Sequence, residues 1–339
     1  MKDIITLAHG AGGKQTSELI SNVFNKYFEN PYLTNDDAAV LNPPKGRMAM
    51  TTDGFIVSPL KFKGGDIGKL SISGTVNDLT CMGAKPLYIS CAFVIEEGTQ
   101  IELLEMIAKS MAETAREVGV NIVSGDTKVA GRGQVDGVFI TTTGIGEVRE
   151  GLELSSLRAK PEDVVIVTGD IGRHGAAILL ERDDFGIEAS VESDNAPLWN
   201  PLNDAISSLN PNEIGDIHVI RDATRGGTGT VLYEIAKSSN VGIKIDNNKL
   251  PVSNEVTGIC KILGLDPLYL ACEGRLVIIL KEKIANKFLK ALKQNEYTRN
   301  SAIIGKVSDE MPGLVTLKTE IGTEAILPEP TGELLPRIC

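Results

Sequence analysis

The sequence predicts a mixed α/β protein of two domains, and three observations carry that prediction. Its 339 residues are about twice what one ordinary domain of roughly 150 residues needs. Hydrophobic residues make up 42% and charged residues 23%, near the averages for globular chains, which excludes a disordered, collagenous or coiled-coil protein. Short β-branched runs alternate with stretches of helical period between Gly and Pro punctuation, the mixture that α/β folds show.

Taken in order, a first strand and the glycine loop HGAGGK lead into a helix. Leu19, Ile20, Val23, Phe24, Tyr27 and Phe28 follow the helical period, and Thr16 and Ser17 offer an N-cap before them. Residues 40–52, 86–95 and 135–146 read as strands. Residues 100–118 place Ile101, Leu104, Ile107, Met111 and Ala115 on one face of an amphipathic helix. The chain turns polar over 151–163 before an apolar strand at Val164 to Val167, which puts a domain boundary there. The expected division is 1–155 and 156–320. In the second part, helices are expected around 175–182, 228–237 and 283–295, and strands around 242–245, 275–280 and 314–317. The last stretch, with Pro328, Pro330 and Pro336, predicts an extended tail over 321–339.

Composition narrows the function. The formal net charge is −11 and no lysine or arginine block appears, which argues against a nucleic-acid surface. No apolar stretch approaches the roughly 20 residues of a membrane helix. No secretory signal is visible at the start, so the cytoplasm is the expected location. The cysteines, Cys81, Cys91, Cys260, Cys272 and Cys339, are odd in number and contain no CxxC pair, a pattern of neither a disulfide framework nor a zinc site. Cys339 is the last residue, so it is not a prenylation signal.

Acidic residues of the first half recur where strand or helix patterns meet Gly, Thr or Asn: Asp36 and Asp37 in NDDAAV, Asp53 in TTDGF, Asp78 in VNDLTCMGA and Asp126 in SGDTKV. Carboxylates converging from several loops suit magnesium and a nucleotide; the same residues also serve as plain caps and turns. Gly10, Gly12 and Gly13 lie between strand and helix, where backbone amides can approach a phosphate or simply make a tight turn. DATRGGTG, from Asp222 to Gly229, carries Arg225 and precedes a helical pattern, so it holds an anion or caps that helix. His9, His174 and His218 are too scattered for a metal site or a Ser/His/Asp triad; His218 reads as a core or strand residue, and His9 and His174 stand beside glycine, open to a ligand contact. A tail of about 18 residues reaches up to about 60 Å, so Cys339 is either a frayed terminus or a thiol carried into a distant site.

NDDAAV, TTDGF, VNDLTCMGA, GDTKV, DATRGG and CEGR, in this order, resemble the PurM-like superfamily of aminoimidazole ribonucleotide synthetase, selenophosphate synthetase and thiamine-monophosphate kinase. The ending Pro336-Arg337-Ile338-Cys339 resembles that of the HypE family of hydrogenase maturation proteins. Unlike selenophosphate synthetase, the glycine loop holds no cysteine. The resemblance implies a homodimer whose N-terminal domains share a β-barrel, flanked by C-terminal α/β domains, with ATP near the interface. It implies a thiol, Cys339, that receives a carbamoyl group from the carbamoyltransferase HypF. ATP-dependent dehydration of that S-carboxamide to a thiocyanate then supplies cyanide, through a HypC–HypD complex, to the iron of [NiFe] hydrogenase. Magnesium falls to Asp37, Asp53, Asp78 and Asp126, with Asp36 and Asn77 as adjacent nucleotide contacts and Arg225 on phosphate or tail. Lys128 and Glu273 become the proton acceptors, a lysine being tuned down and a glutamate up by burial and neighbouring charge. Two rivals stand beside this reading: an ATP-dependent synthetase or kinase of the same superfamily acting on a soluble substrate, and a thiol carrier without ATP chemistry.

Overall fold

The computed structural model describes residues 4–34, 36–182, 186–187, 189–319 and 321–329; Cys339 lies outside the described residues. The first helix, α1 (Lys14–Leu19), continues through a π-helical stretch (Ile20–Asn25) into α2 (Lys26–Phe28). It begins directly after Gly13, earlier than the expected cap at Thr16 and Ser17, because the Thr16 hydroxyl is turned back to accept the Gly12 N–H at 3.0 Å. The strand expected before the glycine loop is a single 3-10 turn at Leu7–Gly10, and the strand expected from residue 40, β1 (Met48–Phe55), starts later, since Pro43, Pro44 and Gly46 cannot sustain a ladder. A small hairpin, β2 (Lys61–Phe62) and β3 (Gly65–Asp66), leads into α3 (Ile67–Cys81). Asp66 caps α3 by accepting the Gly68 and Lys69 N–H groups. This helix escaped the sequence reading because it is buried almost all round, leaving no polar stripe to betray a helical period.

Next come β4 (Ala84–Glu96), α4 (Ile101–Val118), β5 (Asn121–Ala130) and β6 (Val138–Val148). Gly119, at φ +78°, takes the left-handed conformation that ends α4 where any side chain would be strained. The four strands form an open sheet in the order β1-β6-β4-β5. One face packs on α3 and α4 around Ile72, Val76, Ile107 and Met111. The other face carries Met50 opposite Ile145, and Ile145 opposite Tyr88. Met48 and Met50 are 58% and 65% exposed there, and among the described residues β1 and β5 are the two edges of this sheet.

The second half is built from β7 (Asp163–Val167), α5 (Arg173–Glu181), α6 (Trp199–Ser207), β8 (Ile217–Asp222), α7 (Gly227–Ser239), β9 (Gly242–Asp246), α8 (Asn254–Leu263), β10 (Leu276–Lys281), α9 (Glu282–Leu292), β11 (Ala302–Ser308), β12 (Val315–Lys318) and β13 (Glu324–Ile326). Its sheet runs β13-β12-β9-β11-β7-β10-β8. The runs Val164–Val167 and Leu276–Leu280 are apolar at every position because both faces are covered. Val165, Val167, Val277 and Ile279 meet α7 on one side. Val164, Ile166, Ile278 and Leu280 meet α6 and α9 on the other. Strand β13 corrects the extended tail expected from residue 321: it pairs with β12 and seats Leu327 in the core at 2% exposure. The Tyr233 and Tyr269 hydroxyls donate to the carbonyls of Leu327 and Pro328. Among the described residues no helix is long and apolar enough to cross a membrane.

Candidate functional site

The acidic residues do not sit at element edges as their sequence context suggested. Asp53 is inside β1, Asp78 inside α3 and Asp126 inside β5; Asp36 and Asp37 alone occupy irregular chain. Within one chain they fall into two groups. The first lines a cavity of about 430 Å³ whose polar rim includes Gly10, Gly12, Asp36, Asp37, Asp126 and Lys128, over an apolar floor that includes Phe24, Phe93 and Ile122. Gly10 belongs there by packing, since a Cβ on it would lie 3.0 Å from Val129 of β5. Gly12 takes φ +82°, which favours glycine. Gly13 is the N-cap of α1; it is not among the residues lining the cavity.

On β5, Asp126 and Lys128 stand two residues apart and so on one face, with Lys128 Nζ 2.8 Å from Asp126 Oδ1. That hydrogen bond holds the Asp126 carboxyl below the usual carboxylate range. The Lys128 side chain is 67% exposed, so the burial anticipated for it is not supplied by this chain.

The second group gathers where α3 leans on β8. Thr51 donates its hydroxyl to Asp78 Oδ2 at 2.6 Å. Burial nevertheless pushes the Asp78 carboxyl up to about 6, and the charges of Asp222 and Asp53 push the same way. Asp53 is raised by burial and by Asp222, against the Gly54 N–H and Arg225; Asp222 is raised by burial. Glu273 precedes β10, and the backbone pairs its neighbours to the end of β8: Cys272 N–H donates to Ala223 O and Ala223 N–H to Arg275 O, both at 3.0 Å. Burial raises the Glu273 carboxyl well above the usual range; Asp194, Asp222 and Asp53 add to this, and Arg225 opposes it. Arg225 is exposed, directly before the two glycines that start α7.

Asn77 departs from its anticipated place among the nucleotide contacts. It is 3% exposed and spends its amide on backbone across the junction of the two halves, donating to Ala196 O and Glu273 O and accepting from Leu198 N–H. The histidines also resolve. His9 Nδ1 accepts the Thr6 N–H at the first turn, and His174 is fully buried with Nδ1 2.8 Å from Ser193 Oγ, desolvation pushing it down to about 4. His218 is a strand residue of β8, its Nδ1 2.7 Å from Asp163 Oδ2. Cys81, Cys91, Cys260 and Cys272 are free and buried; burial raises all four thiols, which makes them poor nucleophiles.

Sequence reasoning passed over Asp222, although it opens the DATRGG motif, and Asp194, which lies in an unpunctuated polar stretch without periodicity. Among the described residues no three His, Cys, Asp or Glu groups stand close enough to form a ready metal cage.

An α/β chain built on a four-stranded and a seven-stranded sheet, with carboxylates on β1, α3 and β5 and a glycine loop before α1, defines a class, and the sequence matches it. Residues 35–148 match the AIR synthase related protein, N-terminal domain, and residues 160–316 its C-terminal domain. Within that class, the chain is 44% identical over 338 residues to carbamoyl dehydratase HypE of Rhodobacter capsulatus, covering 99% of this chain and 98% of that protein. A crystal structure of hydrogenase maturation protein HypE in complex with ATP superposes with a TM-score of 0.92 at 43% identity, covering 98% of this chain and 99% of that one. A HypE–HypF complex contains a chain that matches at 0.80 and 46%, covering 92% of this chain and 99% of that one. The chain belongs to the HypE carbamoyl dehydratase family.

Proposed function

We propose that this chain is an ATP-dependent carbamoyl dehydratase of hydrogenase maturation whose substrate is the S-carboxamide of its own Cys339. The observation that carries the reading is the gathering of Asp53, Asp78, Asp222 and Glu273 where α3 leans on β8, each carboxyl raised first by burial and those of Asp53, Asp78 and Glu273 also by the charge of Asp222, beside the exposed Arg225. A passive thiol carrier has no use for half-buried carboxyls held close together, whose cost is retained in proteins mainly at working sites. The similarity to a HypE that binds ATP supports ATP as the co-substrate, and the HypE–HypF complex supports HypF as the carbamoyl donor. A HypC–HypD complex as cyanide acceptor, and a cytoplasmic location, complete the reading.

In the first step the carboxamide oxygen attacks the γ-phosphorus, the bond to ADP breaks, and an N–H proton leaves to a base. In the second, the remaining N–H proton leaves, the C–O bond breaks with phosphate as leaving group, and the thiocyanate C≡N forms. Glu273, with its raised proton affinity, suits one of these transfers near neutral pH; Lys128 is assigned to the other. Arg225 orients phosphate, and the Gly10 to Gly13 loop receives the nucleotide. Magnesium fits the donor chemistry, since the like-charged Asp53 and Asp78 would be relieved by a cation and oxygen ligands suit it; Asp37, Asp53, Asp78 and Asp126 would hold it, and it would supply neutralisation of phosphate charge.

The two groups of residues lie on opposite edges of the four-stranded sheet, which supports a homodimer in which β1 of one chain meets β5 of another across the apolar face of Met48 and Met50. The divisions 1–155, 156–320 and 321–339 stand in this reading as ATP-binding and dimerisation domain, second domain and substrate-bearing tail. The test is the intact mass of the C-terminal peptide. Loading by a carbamoyltransferase adds about 43 Da to Cys339, and magnesium with ATP then removes about 18 Da. A cysteine that loads without losing water favours the carrier. A Cys339→Ala protein that turns over a soluble amide or phosphate acceptor favours the synthetase or kinase.

A further inference from the structure

We propose that Asn77 is a positioning residue that holds Glu273 in register with α3, the helix that carries Asp78; the inference rests on Glu273 being a proton acceptor. The peptide groups on both sides of the Glu273 Cα are gripped by side chains from outside its own segment. On the carbonyl side, Asn77 Nδ2 donates to Glu273 O at 3.4 Å. On the amide side, Asp194 Oδ1 accepts the Glu273 N–H at 3.0 Å, with its other oxygen 3.5 Å from Arg275 Nε.

The grip extends beyond one bond. Asn77 also donates to Ala196 O at 3.0 Å and accepts from Leu198 N–H at 2.8 Å, so one amide ties α3 both to residue 273 and to the segment that carries Asp194. The next position leaves no slack, because a Cβ on Gly274 would lie 1.9 Å from Asp194 O. A buried amide is costly unless bonded. This one is bonded solely to backbone from the other half of the chain. It therefore has no donor left for a nucleotide, and its bonds set the distance between Asp78 and Glu273, which is what proton abstraction at a phosphorylated carboxamide depends on.

The test is a double-mutant cycle on the full-length protein, carbamoylated on Cys339, followed by mass in a single turnover with ATP and magnesium. Asn77→Ala is expected to slow dehydration about 10- to 100-fold, the scale of a misplacement near 1 Å, with ATP affinity within about 2-fold. In a Glu273→Gln background the same substitution is expected to cost less than about 2-fold, because its effect runs through Glu273. An equal loss in both backgrounds, or a loss of ATP affinity in proportion, overturns the proposal. A Glu273→Gln protein with the parent rate overturns the reading of Glu273 itself, a result separate from any outcome of the cycle. If the alanine protein does not fold, Asn77→Ser, which keeps one donor on the helix, goes through the same cycle under the same criteria.

Discussion

Mixing two dead variants tests whether the site is shared between chains. Asp53 lies on β1 and Lys128 on β5, with β6 and β4 between them. Three interstrand steps of about 4.8 Å separate these edges by about 14 Å, more than twice the reach of a lysine side chain. If both residues act on one carboxamide, they come from different chains. Asp53→Asn and Lys128→Ala homodimers are then both inactive, whereas a mixed dimer contains one site with both substitutions and one with neither. Random association makes half of the dimers mixed, so an equimolar mixture recovers about a quarter of the parent amplitude. The assay is phosphate released in one turnover from carbamoylated protein, after the two variants are unfolded and refolded together. Mixed dimers, verified by native mass, that release no more phosphate than either variant alone would refute the shared site.

Three further outcomes follow from the packing. Because burial raises the Asp78 carboxyl to about 6 from an ordinary value of 3.8, the folded chain holds that proton more tightly than the unfolded one. This contribution to stability is fully present below about 3.8 and is lost as pH rises through 6. Asp78→Asn should therefore raise the melting temperature at pH 8 by about 2–4 °C, gain less at pH 5, and abolish dehydration; equal gains at both pH values contradict the assignment. Asp163→Ala strands the buried His218 Nδ1 and the Lys160 N–H that Asp163 now accepts at 2.8 Å, and denaturant titration should show a loss of about 2–5 kcal/mol. Leu327→Ala should cost about 2–4 kcal/mol by the same measurement, while an unchanged midpoint would mean that β13 is not held in solution.

The sequence exposed what is periodic. Helix α4 and strands β4, β7 and β10 could be read because one-sided or uniform burial leaves a pattern in the order of residues. Helix α3 could not, since Gly68, Gly74 and β-branched residues are tolerated where packing on every side replaces propensity. The candidate site shows the same divide. Motif context marked Asp53, Asp78, Asp126 and Glu273 as functional, yet located them at loop edges, because Asp beside Gly or Thr is locally what a turn looks like. Three of them instead occupy regular elements, where backbone hydrogen bonds fix the carboxylates more rigidly than loops do.

That rigidity bears on how a tethered substrate is handled. In the proposed reading a thiol tethered to the same chain would arrive at high effective concentration, and selectivity would come from the site's alignment. The Tyr233 and Tyr269 hydroxyls fix the chain at Leu327 and Pro328, and Tyr269 is four residues from Glu273, within about 14 Å along an extended backbone. The chain at Pro328 is thus bound to the same loop that presents the proposed base. Asn77 ties that loop to α3 and Asp78. Residue 328, proposed base and carboxylate helix are therefore registered through side-chain bonds to backbone, and loosening the Asn77 or Tyr269 bonds should slow dehydration before it weakens the binding of ATP.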